Sequence, residues 1–484
     1  MPEISAVGVE IQPKPREECG VLGIWLSEEG EAKLYNEGIE LEVDGEQRRV
    51  HSIVDLGYIA LRRQHYRGHQ NTGMAVSVDG SDLEVVYGKG RPEQAFEDGN
   101  LLKSLPERAR FLVGQNRYST IGGSDGAQPV VFGNFAEAIN GEFSNYRLLS
   151  QHNTRGDQPS DSWVHGSVVA DRIDQSYTLS GALIKATEIA EGAFSIVAMH
   201  NGEMVSMRDP HGIRPLVFGN LRDWGHVSAS ETPTLRSIDA LYERTVKPGE
   251  VLLVGDSGLQ EIEYAESSLR HCSLERIYLA DEEHMYVQGQ RYHSGKVLAK
   301  EAPVRYADMV VPILGSAAAC ARGYADKLGL RLVPAIRKIN DDRAFMSQED
   351  RKAVVRGKIE IDLEAIKDKV VVIVDDSRVR GDTSEVICEI MAKHTRELHI
   401  RFGSPRIVDN CYYGVDLKNR DELSAVRMTD EQYREITGVK SIKHLSLQGL
   451  HKAYGRRICT GCFTGQYPTT VPETQHEQAA SLVY

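Results

Sequence analysis

Residues 369–391 read KVVVIVDDSRVRGDTSEVICEIM, and this stretch restricts the fold more than any other in the chain. The apolar run Val370 to Val374 is too short for a buried helix and right for a strand covered on both faces. Asp375 and Asp376 close the run, the loop SRVRGDTS follows, and Thr383 or Ser384 opens a helix whose apolar face holds Val386, Ile387, Ile390 and Met391. A strand leading through a glycine loop into a helix belongs to an open parallel sheet, where ligands bind beyond the C-terminal ends of strands. Loop N–H groups and the positive end of the helix suit a phosphate. The adjacent carboxylates suit ribose hydroxyls or Mg²⁺, and the alternative is an ordinary strand–turn–helix with solvated acids. A Walker loop is a poor competitor: GQRYHSGKV at 289–297 has one residue too many before Gly-Lys, and Val297 stands where Ser or Thr would bind Mg²⁺.

The same style extends over the second half. After about residue 275, helical patterns such as SGKVLAKEAPVRYA alternate with strands such as MVVPIL, KVVVIVDD and LHIRFGS. From Gly20 to about residue 265 the pattern differs. GVLGIW, LEVVYG, RFLVGQ, VVFG, FSIVAMH, EMVSMR, PLVFG and EVLLVG read as short strands, with one or two helices at VDLGYIALRRQHYRG and after Asp161. This predicts a layered α/β or α+β domain followed by a parallel-sheet domain, with the boundary at 265–275. A length of 484 residues also calls for two cores. Lys plus Arg number 57 against 70 Asp plus Glu, a formal charge of −13 that argues against a general nucleic-acid binder. No apolar stretch approaches the ~20 residues that span a bilayer, and residues 1–18 lack the apolar core of a secretory signal. Seven cysteines spread over a long chain do not make a disulfide framework, so a reducing cytoplasm is expected. The last sixteen residues, TTVPETQHEQAASLVY, read as a polar tail.

Cys19, in KPREECGVLGIW at 14–25, stands at the charged entrance of an apolar run rather than inside it. One reading is a half-exposed spare thiol. The other is that the chain is cut before Cys19. A free α-amino group has a pKa of about 8, so at neutral pH it would serve as the base that activates its own side chain.

VVIVDDSRVRGDTS resembles the 5-phosphoribosyl-1-pyrophosphate (PRPP) motif of type I phosphoribosyltransferases, and within that group the amidophosphoribosyltransferase family. The resemblance covers residues 14–468. EECGVLGI is similar to the family's amino-terminal motif, in which a propeptide ends before the nucleophilic cysteine. HYRGHQNTG at 65–73, GQNRYSTIG at 114–122, INGEFSN at 139–145 and RDPHGIRPL at 208–216 follow in the order of its glutaminase motifs. The resemblance implies a propeptide over 1–18, an N-terminal-nucleophile glutaminase sandwich of sheets and helices over 19–270, a type I phosphoribosyltransferase parallel-sheet domain over 271–468, and a tail over 469–484. It implies an enzyme that hydrolyses glutamine and passes ammonia to C1 of PRPP, opening purine synthesis. A diverged relative aminating another substrate, or a regulatory nucleotide-binding subunit, are the alternatives.

By the same resemblance, Cys19 is the nucleophile, and Asn140 and Gly141 form the oxyanion hole. Arg117 pairs with the glutamine carboxylate and Asp161 holds its ammonium group. Asp375 and Asp376 contact ribose and Mg²⁺ with Ser316 as a further Mg²⁺ ligand, while Arg380, Gly381, Asp382, Thr383 and Ser384 surround the 5-phosphate. Cys459 and Cys462 form C-x-x-C, and Cys272 and Cys411 bring the thiols to four; spacing leaves Zn²⁺ and an iron–sulfur cluster open. HCSLERIY, DNCYYGVD and CTGCFTG resemble the ligand positions of the family's [4Fe–4S] branch. Cys320 and Cys388 are expected to be packing residues. Purine nucleotides are implied as feedback inhibitors, and a homo-oligomer, dimer or tetramer, as the assembly. Several positions depart from the family: the pyrophosphate loop reads Leu314-Gly315-Ser316-Ala317, Asp382 replaces a threonine, and RKINDDRAF keeps only Arg343 and Phe345 of the closing loop. Gln115 replaces a histidine and Trp163 a glutamate.

Overall fold

The computed structural model describes residues 8–9, 18–97, 99–118, 127–152, 154–156, 160–313, 315–338 and 359–472. The chain forms two compact units. One holds Arg16–His271 with Cys411–Lys418 and the segment from Tyr467; the other holds Cys272–Asn410 and Asn419–Gln466 with the amino-terminal residues. The units are not continuous in sequence: 411–418 and 467–472 group with the first, and 8–9 with the second.

The first unit stacks two antiparallel sheets. In spatial order, the seven-stranded one runs Leu241–Thr245, Val217–Leu221, Gly225–Ala229, Gly20–Leu26, Phe111–Arg117, Asn71–Ser77 and Glu84–Lys89. The six-stranded one runs Gly258–Glu263, Glu250–Gly255, Glu203–Arg208, Gly192–His200, Phe135–Phe143 and Val130–Phe132. Val21 and Trp25 point between the sheets, against Ala136, Ala138, Val197 and Met199. Leu22, Ile24 and Leu26 point the other way, onto Ile53, Leu56 and Ala60 of the helix Ile53–Arg63. Across the sandwich, Ile139, Phe143 and Ile196 pack on Val164, Val168 and Leu183 of the helices Asp161–Asp174 and Leu179–Thr187. Strands buried on both faces lose the apolar–polar alternation, which is why GVLGIWL is apolar throughout.

Among the described residues of this unit the helices beyond the expected pair are shorter, the longest being Glu28–Glu37 and Leu179–Thr187. The first is mostly polar and buries only Gly30, Glu31 and Leu34, so periodicity does not reveal it. Its start is fixed instead by Ser27, whose hydroxyl accepts from Gly30 N at 2.9 Å.

The second unit carries the expected parallel sheet, in the order Arg331–Leu332, Met309–Pro312, Val370–Asp375, Glu397–Phe402 and Ser441–His444. Val371, Ile373, Leu398 and Ile400 pack with Val386, Ile387 and Met391 of the helix Asp382–Ala392. That helix starts at Asp382, one residue before the expected Thr383, with Gly381 at φ 88° as its cap. The helix expected over 294–307 runs instead over Met285–Glu301 and stops ahead of Pro303. It crosses Ala317–Leu328 so closely that a Cβ on Gly295 would sit 1.8 Å from Cys320 O, and one on Gly323 would sit 1.9 Å from Tyr292 O. Cys320 and Cys388 are buried in their helices; burial pushes the first thiol up to about 12 and the second higher still, as inert packing residues require.

Candidate active site

Cys19 precedes the central strand Gly20–Leu26, where Gly20 pairs with Asn116 of the neighbouring strand. It is 9% exposed, and its thiol donates to Tyr118 O at 3.5 Å. Burial pushes the thiol pKa up, opposed by the Tyr118 contact, the Arg117 charge and Gln115. A thiol that stays protonated at neutral pH needs a base beside it. Arg117 ends the strand Phe111–Arg117 and is buried. Burial lowers its pKa, while the nearby Cys19 and Asp161 raise it. Asp161 heads its helix and accepts from Phe143 N at 3.2 Å, which ties the helix start to the strand Phe135–Phe143. Its pKa is raised by burial, against the Phe143 and Ser162 hydrogen bonds and the charges of Lys418 and Arg117.

Asn140 lies within that strand, opposite Ser195, so Asn-Gly here is not a turn pair. Its side chain is fully buried, and neither amide atom has a hydrogen-bond partner among the described residues. Leaving such a group unpaired costs about 1–3 kcal/mol, so the amide is held for a partner outside the described residues. Gly141 has φ 147°, and a Cβ there would lie 1.9 Å from Ala193 O, so no other residue fits. Gln115 donates to Ile139 O at 2.9 Å, bracing the same strand from the strand that pairs with Gly20–Leu26. Trp163 instead packs edge-on to Phe132 with centroids 5.4 Å apart, a core contact rather than a site contact.

The segment 411–418 completes this site, and sequence order gave no sign of it. Lys418 pairs with the buried Glu142, next to Gly141. Tyr118 OH donates to Asp416 at 3.4 Å, and a Cβ on Gly414 would meet Gly141 O at 3.0 Å. The buried Glu18, Arg67 and Arg214 were also passed over, although two of them lie in the motifs HYRG and HGIRP.

In the second unit, Asp375 and Asp376 end the strand Val370–Asp375 and are 1% and 2% exposed. Ser316 donates to Asp376 Oδ2 and Ser377 donates to Asp376 Oδ1, the latter at 2.8 Å. Ser316 and Asp376 therefore meet, and a hydroxyl beside a carboxylate is an all-oxygen pair that suits Mg²⁺. Gly381 has room for nothing larger: a Cβ would lie 2.7 Å from both Glu385 Oε1 and Ser424 Oγ. Ser384 is buried and spends its hydroxyl on Gly381 O (3.1 Å) and on Tyr433 OH, which donates to it at 3.1 Å. Any contact it makes to a phosphate would come from its backbone. Arg380 reaches Glu422 at 3.1 Å. Leu314, Arg343, Phe345 and the side chains of Asp382 and Thr383 lie outside the described residues.

Cys272 and Cys459 lie on strands that pair in a two-stranded ladder, His271–Cys272 with Ile458–Cys459. Val408 N and Asp409 N donate to Cys462 O at 2.9 and 3.2 Å, which brings the chain just ahead of Cys411 to the C-x-x-C turn. Among the described residues no group of three or more His, Cys, Asp or Glu side chains is arranged to hold a metal ion.

A cysteine heading the central strand of a helix-flanked double sheet, and paired aspartates ending a strand of a parallel sheet, define a glutamine amidotransferase fused to a phosphoribosyltransferase. Residues 115–237 match the family model described as "Glutamine amidotransferase domain". The chain is 34% identical to amidophosphoribosyltransferase 1, chloroplastic, of Arabidopsis thaliana, over 96% of this chain and 81% of that one. It is 32% identical to the amidophosphoribosyltransferase of Bacillus subtilis, over 94% and 95%. The solved B. subtilis glutamine PRPP amidotransferase complexed with ADP and GMP superposes with a TM-score of 0.80 at 30% identity, covering 94% of this chain and 98% of that one. The chain belongs to the amidophosphoribosyltransferase family.

Proposed function

We propose that the chain catalyses glutamine-dependent amination of PRPP, the amidophosphoribosyltransferase step of purine biosynthesis, with the residues named above in the following roles. Arg117 grips the α-carboxylate of glutamine with a planar cation, and Asp161 holds the α-ammonium group. The Cys19 thiolate adds to the carboxamide carbon while its own α-amino group, freed by removal of residues 1–18, takes the thiol proton and returns it to the leaving ammonia. The developing oxyanion is met by the Asn140 amide and the Gly141 N–H. Water then cleaves the thioester to glutamate and restores the thiol. In the second unit, ammonia forms a bond to C1 of PRPP as the bond from C1 to the pyrophosphate oxygen breaks. Asp375 and Asp376 orient the ribose, and backbone N–H groups from Gly381 to Ser384 face the 5-phosphate. Mg²⁺ held by Ser316, Asp375 and Asp376 would neutralise charge on the departing pyrophosphate.

The observation that carries this reading is the buried Asn140 amide without a hydrogen-bond partner among the described residues, one residue from a position that only glycine can occupy. The test is pyrophosphate release from PRPP with Mg²⁺. Release that depends on glutamine and is matched by glutamate formation is expected. Glutamate formation without pyrophosphate release would instead favour an ammonia acceptor other than PRPP.

The four cysteines Cys272, Cys411, Cys459 and Cys462 are proposed as ligands of a [4Fe–4S] cluster, supported for Cys272 and Cys459 by the ladder that pairs their strands. Anaerobically purified protein should be brown and contain iron and sulfide, whereas colourless protein with stoichiometric zinc would overturn the assignment. Purine nucleotides are proposed as feedback ligands, since the similar B. subtilis protein was solved with ADP and GMP. A cytoplasmic homo-oligomer is the proposed setting. No helix among the described residues is long and apolar enough to cross a membrane.

A further inference from the structure

Glu18, the residue before the nucleophile, has no exposed side-chain surface. Its Oε1 lies 2.9 Å from Arg67 Nη2 and its Oε2 lies 3.0 Å from Arg214 Nη1, and both arginines are equally buried. Arg67 also grips the backbone on either side of the Glu18–Cys19 bond. Its Nε donates to Cys19 O at 3.1 Å, and its own carbonyl accepts from Glu18 N at 3.0 Å. The remaining Arg67 nitrogen pairs with buried Glu231, which also accepts from Tyr66 OH at 2.8 Å. Two cations thus face two carboxylates out of water, an arrangement tolerated only when each charge is matched.

Arg214 is delivered by the motif RDPHGIRPL, whose other members build a brace. Arg208 donates to Arg214 O at 2.7 Å, Gly212 O at 2.6 Å and Val246 O at 2.9 Å. Asp209 accepts from His211 N at 2.8 Å, Ile213 N at 3.1 Å and Phe194 N at 3.3 Å. Ser195 adds a further bond to Arg214 O at 3.2 Å. The turn is over-determined, and it fixes one guanidinium against the side chain of a residue that maturation discards.

We propose that Arg67 and Arg214 are the specificity-determining residues for removal of residues 1–18: they read the Glu18 carboxylate and hold the Glu18–Cys19 amide in place for cleavage. This rests on the reading of Cys19 as the first residue of the mature chain. Cleavage adds one water across that amide, breaking the bond from Glu18 carbonyl carbon to Cys19 nitrogen and leaving a carboxylate on Glu18 and an amine on Cys19. A bond buried in this way is shielded from outside proteases, so selectivity has to be built into the chain itself.

The test follows the intact mass of the full chain at intervals after synthesis, with thermal melting to confirm folding. Because Glu18 is absent from the mature protein, substitutions there do not burden the mature fold. Glu18→Ala should slow loss of residues 1–18 by at least tenfold, and Glu18→Asp, which keeps the charge, should recover part of the rate. Arg214→Met should slow processing comparably, and the double variant Glu18→Ala/Arg214→Met should be no slower than either single one, because both remove the same contact. A folded Glu18→Ala chain processed at the wild-type rate would overturn this inference alone, as would multiplicative slowing in the double variant. Active wild-type protein that keeps Met1 would overturn the maturation reading and this inference with it.

Discussion

Cys19→Ala is expected to lower glutamine hydrolysis by at least ~10³-fold, because removing a nucleophile that forms the acyl intermediate abolishes the route rather than weakening it. Nothing around it can substitute. Arg117 is a cation, Asp161 is bound to the Phe143 N–H, and Gln115 is bound to Ile139 O. The alanine leaves both sheets undisturbed, since Cys19 lies before the strand rather than in its core. Pyrophosphate release from PRPP driven by added ammonium salt should therefore persist while glutamine-driven release disappears. Steady-state assays with the two nitrogen sources give the comparison. Glutamine hydrolysis within tenfold of wild type in the alanine variant would exclude Cys19 as the nucleophile.

Asp376→Asn is expected to abolish phosphoribosyl transfer, by ~10²-fold or more, with basal glutaminase largely intact. Both carboxylate oxygens of Asp376 accept hydroxyl protons, from Ser316 and Ser377. An asparagine amide turns one acceptor into a donor facing a hydroxyl and removes a charge from the proposed Mg²⁺ site. The substitution is nearly isosteric, so the buried strand end should keep its packing. Glutamine hydrolysis and PRPP-dependent pyrophosphate release, measured on the same preparation, separate the effects. Equal loss of both reactions would indicate general misfolding or coupling stronger than proposed, and an unaffected transfer rate would remove Asp376 from the ribosyl site.

The strands that read clearly in the sequence are those whose residues are apolar on both faces, such as Gly20–Leu26 and Val370–Asp375. Phe135–Phe143 did not read as a strand, because Glu137, Asn140 and Glu142 interrupt its apolar pattern. Those residues are buried and polar for reasons outside the strand: Glu137 meets His165 at 3.1 Å, Glu142 meets Lys418, and Asn140 has no hydrogen-bond partner among the described residues. Candidate site residues were legible through ordered motifs spread over the chain. The ion pairs at Glu18 were not, because their partners lie 49 and 196 positions away and no local pattern encodes them. Ser384 shows the converse limit: its place in the loop is evident, but the direction of its hydroxyl depends on Tyr433, far along the chain.

The segment 411–418 carries a consequence for how the protein is made. Its contacts with Glu142, Gly141 and Tyr118 complete the first unit, yet these residues leave the ribosome only after most of the second half has been synthesised. A nascent chain therefore has Cys19, the strand Phe135–Phe143 and Arg117 in place long before Glu142 acquires its cation. A chain arrested or truncated near residue 270 would hold the proposed glutaminase residues but lack this closing piece. The first unit is thus finished by residues that follow the strand Glu397–Phe402 of the second, so its last contacts form late in translation.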